Sequence, residues 1–586
     1  MISMKPGNPE RRLRLFGGLM VIAAVIFTGR LFYFQVIEAE AINKVSINKR
    51  EVKRTIPALR GDILDTNGNI LAHSVYRYDI NAAPINVAPL EVVRNGQSVI
   101  VSVEEQATQI GGILGLTTEE VLDKIKGTSQ YAQLAKNVDA SKYRQLKKLD
   151  IPWLFYDPKL ARVYPNGAVA GSVLGFMSQD GTPLAGVERQ MNGCLAGVDG
   201  QETYEAGTDG IRIPASAVVA QKAQNGSSVV LTINRDLQYF AQQELSHAVL
   251  NLKADWATAV VIEVKTGKIL VAAEAPTVDP NATGSSTEAA RHSRIFETSF
   301  EPGSTMKTIT AATAIDVGKA TPLTRAVVPQ SIRLPWGTVI SDSHAHPTQH
   351  LTLTGILRDS SNTGIIAIGS KVDKQTRYNY MRKFGFGEKT SVNFGGEASG
   401  VLNKPENWDG TTDKVSMFGQ GVGVTPIQMA FAYQAIANGG VRLSPTLIEG
   451  CKDSSGKVTP VPVGPATRVI SEQTAKTTVQ MLEMVVQHGG IGRTAGLSDW
   501  RLGGKSGTAQ IADGSGRYGN RYAISFIGMG AAEDPRYVVA VTIFKPRTVS
   551  NSIGATPYFK AIMKQVLQTY SVLPSTTKPV EIAQEW

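Results

Sequence analysis

Ser304-Thr305-Met306-Lys307 sets a hydroxyl and an amine three residues apart, directly after Phe300-Glu301-Pro302-Gly303. The Ala/Ile/Thr-rich stretch that follows reads as a buried helix. Residues three apart share a helix face, so the Lys307 amine can reach the Ser304 hydroxyl. A serine at a helix N-terminus also meets free backbone N–H groups and partial positive charge, which stabilise a developing oxyanion. These are the requirements of a serine nucleophile with a lysine base. Taken alone the pattern is weak, because Ser46 with Lys49, Ser454 with Lys457 and Ser575 with Lys578 share it. Context separates the four. Ser46 lies in a polar stretch beside an apolar run, Ser454 in a Ser/Gly turn, and Ser575 in the last residues of the sequence. Only Ser304 joins a helix start to an apolar continuation.

A second group, Ser360-Ser361-Asn362, opens another helical stretch over 363–370. A serine and an amide there can relay a proton and hydrogen-bond a peptide backbone. Ser360 also reads as an N-cap, worth about 1 kcal/mol, and the two roles can coexist. Ser391-Val392-Asn393 and Ser46-Ile47-Asn48 fit the same pattern, but Ser391 falls in a strand-like, glycine-flanked segment. The third group is Lys505-Ser506-Gly507-Thr508, between Gly503-Gly504 and Ala509-Gln510-Ile511. Its decoy, Lys265-Thr266-Gly267, reads as a hairpin turn. On a strand, Lys505 and Gly507 project to one side and Ser506 to the other. Glycine there lets a substrate backbone approach and pair as an added strand.

Elements able to position these groups are legible around them. A strand over 228–233 leads to a helix over 236–250, then to strands over 257–264 and 269–274. Helical and strand patterns alternate to about Tyr570, which predicts an α+β domain of about 340 residues. Before it, Asn67-Gly68 marks a hairpin, and 104–150 reads as charged amphipathic helices, for example 118–126. Glycine and polar residues thicken between Gly193 and Gly226, the expected junction. A chain of 586 residues is too long for one ordinary core. The expected division is a tail at 1–14, a membrane anchor at 15–36, a module at 37–222, the α+β domain at 223–573 and a loose tail at 574–586.

The anchor rests on an almost wholly apolar run at 15–36, broken by Thr28, Arg30 and Gln35. About 22 residues at ~1.5 Å each span roughly 33 Å, enough to cross the hydrocarbon of a bilayer. Arg30 can snorkel to the headgroups beside Tyr33. Lys5, Arg11, Arg12 and Arg14 precede the run, which places the short tail in the cytoplasm and the rest outside. The run is longer than a signal-peptide core and has no small-x-small cleavage site, so a retained anchor is expected. The polar, basic stretch 43–54 reads as a stalk. Net charge is +10 and spread along the chain, which suits an anionic membrane or wall; nothing resembles a nucleic-acid-binding motif. Cys194 and Cys451 read as separate buried thiols. His344, His346 and His350 lie around Pro347 and read as a loop, with no metal or other cofactor expected.

The ordered set is more specific than its parts. Ser-x-x-Lys, then Ser-x-Asn about 56 residues on, then Lys-Ser-Gly about 145 further, resembles the penicillin-recognising serine transferases. Arg60-Gly61 with Asp65-x-Asn67-Gly68, Gly186-Val187-Glu188-Arg189, Glu301-Pro302-Gly303-Ser304 and Phe418-Gly419-Gln420-Gly421 look like class B penicillin-binding proteins. The resemblance runs from the span to about residue 570. The long N-terminal module and Lys-Ser-Gly-Thr look most like the division-specific, septal member, with an elongation-specific member as the alternative.

That resemblance implies a transpeptidase domain with an antiparallel sheet and helices on both faces. An elongated pedestal, resembling a dimerisation module, and one transmembrane helix precede it. It implies that Ser304 attacks the penultimate D-alanine carbonyl of a peptidoglycan stem peptide and that Lys307 takes its proton. Ser360 and Asn362 assist proton transfer and hold substrate, and Lys505 assists electrostatically. Ser506, Gly507 and Thr508 form the substrate-binding strand, with Ser506 and Thr508 taking the terminal carboxylate. The backbone N–H groups of Ser304 and Thr508 form the oxyanion hole. Lys307 must be neutral to act, so its pKa must lie about 3 pH units, or about 4 kcal/mol, below the usual lysine value. β-Lactam antibiotics are implied ligands. The implied partners are a polytopic membrane glycan polymerase and other division proteins, because no glycosyltransferase motif precedes the transpeptidase. A serine β-lactamase would need a Glu-x-x-Leu-Asn loop, which is missing, and a β-lactam sensor would need more than fourteen residues before the span.

Overall fold

The computed structural model describes residues 9–94, 97–205, 216, 218–487, 489–512 and 518–586. Lys5 and the first eight residues of the expected tail lie outside the described residues, as do 206–215 of the glycine-rich junction. Two compact units are present, 1–59 with 197–225, and 60–196 with 226–586.

In the first unit, an α-helix over Pro9–Phe32 continues through a π-turn over Tyr33–Ile37, and its described side chains are exposed. The helical run Pro9–Ile37 is long and apolar enough to cross a membrane. A second helix, Ala39–Arg50, feeds the strand Glu51–Ile56, so the expected stalk is helix to Arg50 and strand from Glu51. That strand pairs antiparallel with Gly200–Glu205, which pairs in turn with Val218–Gln221.

The second unit begins inside the expected pedestal. Residues 60–196 cluster with the α+β domain, so the cut differs from the expected one at 222/223. Strand pairing is the physical reason. Ile63–Leu64 lies between Ser228–Leu231, which it meets in parallel, and Ile70–Ala82. Ser228–Leu231 pairs on its other side with Ile448–Lys452. The two cysteines, expected as separate thiols, meet across this region as a Cys194–Cys451 disulfide with Cα atoms 6.1 Å apart. Sequence separation had hidden the pair; adjacency in the folded sheet region creates it.

The family-like motifs of this region build the local framework. Asp65 accepts the N–H groups of Asn67 and Asn69 at 2.8 and 2.7 Å, closing the turn around Gly68. Glu188, fully buried, is clamped by Arg60 and Arg162 at 2.7 Å each. A buried carboxylate is tolerable only when so paired. The amphipathic helices appear as Val103–Leu114, Thr118–Lys124 and Ala140–Lys147, the second with a Thr117–Glu120 capping box.

The larger domain is built on a five-stranded antiparallel sheet: β1 (Trp256–Glu263), β2 (Ile269–Ala275), β3 (Leu502–Ala512), β4 (Tyr518–Gly530) and β5 (Tyr537–Phe544). Its order is β2-β1-β5-β4-β3, so β3 forms an edge. The helices that serve it are α1 (Arg235–Leu252), α2 (Met306–Asp316), α3 (Leu353–Asp359), α4 (Asn362–Gly369), α5 (Pro426–Ala437), α6 (Glu472–Val486) and α7 (Thr556–Thr569). One sheet face packs on α1 and α7, the other on α5 and α2. Burial on both faces explains why β1, β2 and β5 are near-continuous apolar runs. A third cluster joins α3, α4, α6 and the end of α2.

Residues 574–586, expected as a loose tail, are docked. Ser575 N–H donates to Asp499 O at 2.9 Å, Thr352 N–H donates to Gln584 O at 3.0 Å, and Trp586 N–H donates to His350 O at 3.1 Å. Most of these side chains stay exposed; hydrogen bonds hold the segment at the surface.

Candidate active site

Ser304 sits half-buried in a 3₁₀ turn, Gly303–Thr305, that runs directly into α2. Gly303 has φ +56°, and a Cβ there would lie 2.7 Å from Thr508 O, so only glycine lets the turn seat under β3. Gly303 N–H donates to Gly419 O at 3.1 Å, and Gly421 N–H donates to the Glu301 carboxylate at 2.8 Å. The Glu301–Ser304 and Phe418–Gly421 motifs thus fix one another. Burial pushes the Glu301 carboxyl up, against the donors Gly421 and Tyr518. From α5, Tyr433 donates to Thr305 O at 3.0 Å and meets Thr308 Oγ1 at 2.8 Å, anchoring the head of α2.

Lys307, one turn on, is fully buried. Its Nζ donates to Ser360 O and stands 3.3 Å from Ser360 Oγ. Burial lowers its pKa to about 7, with Asp342 acting in the opposite direction.

Ser360 joins α3 to α4 at φ +60°, a conformation uncommon for a non-glycine residue. The N-cap reading belongs to its neighbour: Ser361 Oγ accepts Gly364 N–H at 2.8 Å, whereas Ser360 is the C-cap of α3. The Ser360 hydroxyl is therefore free to face the lysines. Lys505, on β3 and fully buried, donates to it at 2.9 Å. Burial holds Lys505 well below the usual lysine range; Lys307 adds to this and Asp359 opposes it.

Asn362 opens α4, and its Nδ2 donates to Ser341 O at 2.8 Å. The N–H groups of Asn362 and Thr363 both donate to Asp342 Oδ1, and His346 Nε2 lies 3.1 Å from Asp342 Oδ2. Asp342 is the residue that sequence reasoning missed; a lone aspartate in a short hairpin carries no spacing signal. Of the histidine trio, His346 serves Asp342 and His350 packs edge-on against Trp586. No metal-competent cluster occurs among the described residues.

Two expectations for β3 change. Lys505 and Ser506 alternate along the strand, yet Lys505 Nζ curls back to within 3.4 Å of Ser506 Oγ. Gly507 serves the fold and not only a substrate. A Cβ there would lie 2.4 Å from Ser525 Oγ and 2.9 Å from Thr305 Cγ2, so glycine lets β3 close on the Ser304 turn. Thr508 Oγ1 accepts Ser552 N–H at 3.1 Å. The outer edge of β3 pairs with no strand among the described residues, which leaves backbone groups to receive an extended peptide. The decoys lie elsewhere: Ser575 Oγ accepts Arg501 N–H, and Lys265-Thr266-Gly267 forms the β1–β2 turn.

Chemically, one hydroxyl stands between two buried amines. A serine hydroxyl has one hydrogen and two lone pairs. It can accept from a protonated Lys505 and donate to a neutral Lys307. Two ammonium groups cannot cheaply share so dry a space, so the pair favours one charge over two.

Comparison with known proteins gives the family. The family model "Penicillin binding protein transpeptidase domain" matches residues 257–564, and "Penicillin-binding Protein dimerisation domain" matches 55–231. The chain is 32% identical to penicillin-binding protein PbpB of Mycobacterium tuberculosis, over 96% of this chain and 85% of that one. It is 30% identical to the peptidoglycan D,D-transpeptidase FtsI of Escherichia coli K12, over 96% and 92%. The crystal structure of penicillin-binding protein 3 from Mycobacterium tuberculosis complexed with aztreonam superposes with a TM-score of 0.69. That match is 29% identical and covers 91% of this chain and 100% of the other.

Proposed function

The chain belongs to the class B penicillin-binding proteins of the division type, and from that premise we propose that it cross-links peptidoglycan as a serine D,D-transpeptidase in septal wall synthesis. The observation that carries the proposal is the Ser360 hydroxyl shared by Lys505 at 2.9 Å and Lys307 at 3.3 Å, one turn from Ser304. Neutral Lys307 takes the proton of Ser304 Oγ as that oxygen bonds to the penultimate D-alanine carbonyl carbon. The backbone N–H groups of Ser304 and Thr508 receive the oxyanion. Collapse breaks the peptide bond, and the departing D-alanine amine takes a proton passed through Ser360. An amine of a neighbouring stem peptide then attacks the acyl-enzyme, and its proton passes through neutral Lys307 to Ser304 Oγ as that oxygen leaves. Ser506 and Thr508 hold the donor's terminal carboxylate, Asn362 its backbone, and Gly507 the strand's approach. β-Lactams acylate the same oxygen. No cofactor enters these steps.

The helix Pro9–Ile37 spans the membrane once, with Arg11, Arg12 and Arg14 on the cytoplasmic side and the transpeptidase outside. The span and the membrane-near unit dock onto a polytopic glycan polymerase among the division proteins, since a cross-linker acts only where new glycan emerges. Fluorescent penicillin tests the reading. One acyl group per chain is expected on the peptide carrying Ser304, stable for many minutes. Label that survives Ser304→Ala, or leaves within seconds, overturns it.

A further inference from the structure

Behind the site, the last residues of the chain bridge the two elements whose tips meet at its front. Ser575 and Thr577 hold the start of β3: Ser575 Oγ accepts Arg501 N–H at 2.9 Å, and Arg501 Nη1 donates to Thr577 Oγ1 at 2.6 Å. Residues 583–586 hold the foot of α3. Thr352, its N-cap, donates through N–H to Gln584 O at 3.0 Å and through Oγ1 to Ala583 O at 2.8 Å. A Cβ on Gly355, inside α3, would lie 2.0 Å from Gln584 O, so the helix is shaped for this contact. At the other end of α3 the side chains take over. Arg358 donates to both oxygens of Asp359 at 2.6 and 2.7 Å, to Gln584 Oε1, and to Glu585 Oε1 at 3.1 Å. The next residue is Ser360.

We propose that Arg358 is a positioning residue for the acyl transfer, and that residues 583–586 are the strap that holds it. The proposal rests on the function given above. A guanidinium fork can grip Asp359 and the strap at once, which a lysine cannot. It thereby fixes the turn that presents the Ser360 hydroxyl and sets the negative charge of Asp359 beside Lys505. Glu585 balances part of the Arg358 charge. Without it the fork holds Asp359 less firmly, and Asp359 is the carboxylate that supports the Lys505 ammonium.

The test follows penicillin acylation of Ser304 against pH, with thermal melting alongside. Deleting residues 583–586 is expected to lower the second-order rate at least tenfold. Glu585→Gln, a change at a largely exposed side chain, is expected to lower it about threefold and to move the alkaline limb of the profile, where Lys505 loses its charge, to lower pH. Arg358→Ala is expected to lower the rate about tenfold, and Arg358→Lys should not restore it. If the deletion variant does not melt cooperatively, Glu585→Gln decides alone. Rates within twofold of the parent with an unmoved profile overturn the proposal. So does a loss of rate that tracks melting temperature with no displacement of the limb. Parent protein that takes no label at Ser304 overturns the function, and this inference with it.

Discussion

The Lys505 amine nitrogen lies 2.9 Å from the Ser360 hydroxyl oxygen, across 145 residues of sequence. Three separate segments, those of Ser304, Ser360 and Lys505, meet only because α2, the α3–α4 turn and the edge strand β3 converge. Under the proposed function the two lysines have unequal duties: one must lose its proton to act and the other must keep its charge.

That division predicts different fates for like substitutions. Lys307→Arg is expected to abolish acylation, by about 10²–10⁴-fold, because a guanidinium stays protonated at any working pH. Lys505→Arg keeps the charge and should retain measurable activity. Stopped-flow acylation with a chromogenic β-lactam compares them, and equal losses would contradict the assignment.

The pH dependence has a definite sign. In the proposed mechanism Lys307 acts when neutral, and burial lowers its pKa to about 7, so acylation should rise through that pH and fall about tenfold per unit below it. The alkaline decline, where Lys505 loses its charge, should come well below the usual lysine range because burial and Lys307 both depress it. A rate profile still climbing steadily to pH 10 would exclude this ordering.

Neighbouring serines should separate chemistry from stability. Ser360→Ala removes the hydroxyl shared by both amines and should cost acylation about 10²-fold or more. Ser361→Ala removes the α4 cap and should cost about 1 kcal/mol of stability with acylation largely kept. Urea midpoints and acylation rates, measured on both, give the comparison.

The Cys194–Cys451 bond predicts that denatured, unreduced protein takes up no thiol reagent. Cys451→Ser should lower the unfolding free energy by on the order of 2–5 kcal/mol, as for loss of a native disulfide, and the denaturation midpoint with it. Quantitative thiol labelling of unreduced protein would show the pair unbonded.

The groups proposed as catalytic stood out in the sequence because such chemistry restricts residue type and order. The helix at 236–250 and the strands at 257–264 and 269–274 were legible because each buries a face, and they appear at Arg235–Leu252, Trp256–Glu263 and Ile269–Ala275. What escaped depends on partners remote in sequence. Nothing local marks Ser360 as left-handed and Ser361 as the cap, since both are serines before the same helix. Asp342 matters only once its hairpin lies over α4. The cysteines looked unrelated across 257 residues, and the tail looked solvated because its contacts are polar, from backbone groups and from Ser575, Thr577, Gln584 and Glu585, with partners remote in sequence.

The placement of Ile63–Leu64 beside Ser228–Leu231, itself paired with Ile448–Lys452, has a consequence for biosynthesis. A chain made from its N-terminus cannot complete this sheet when its early residues emerge; those strands wait for partners hundreds of residues later. With 257 residues between Cys194 and Cys451, synthesis at about 5–20 residues per second leaves the first thiol unmated for about 13–50 s. Over that interval Ser228–Leu231 and Cys194 are an open strand edge and an open thiol. Nascent protein should therefore depend on holding factors and thiol–disulfide catalysts more than a chain whose domains close one after another.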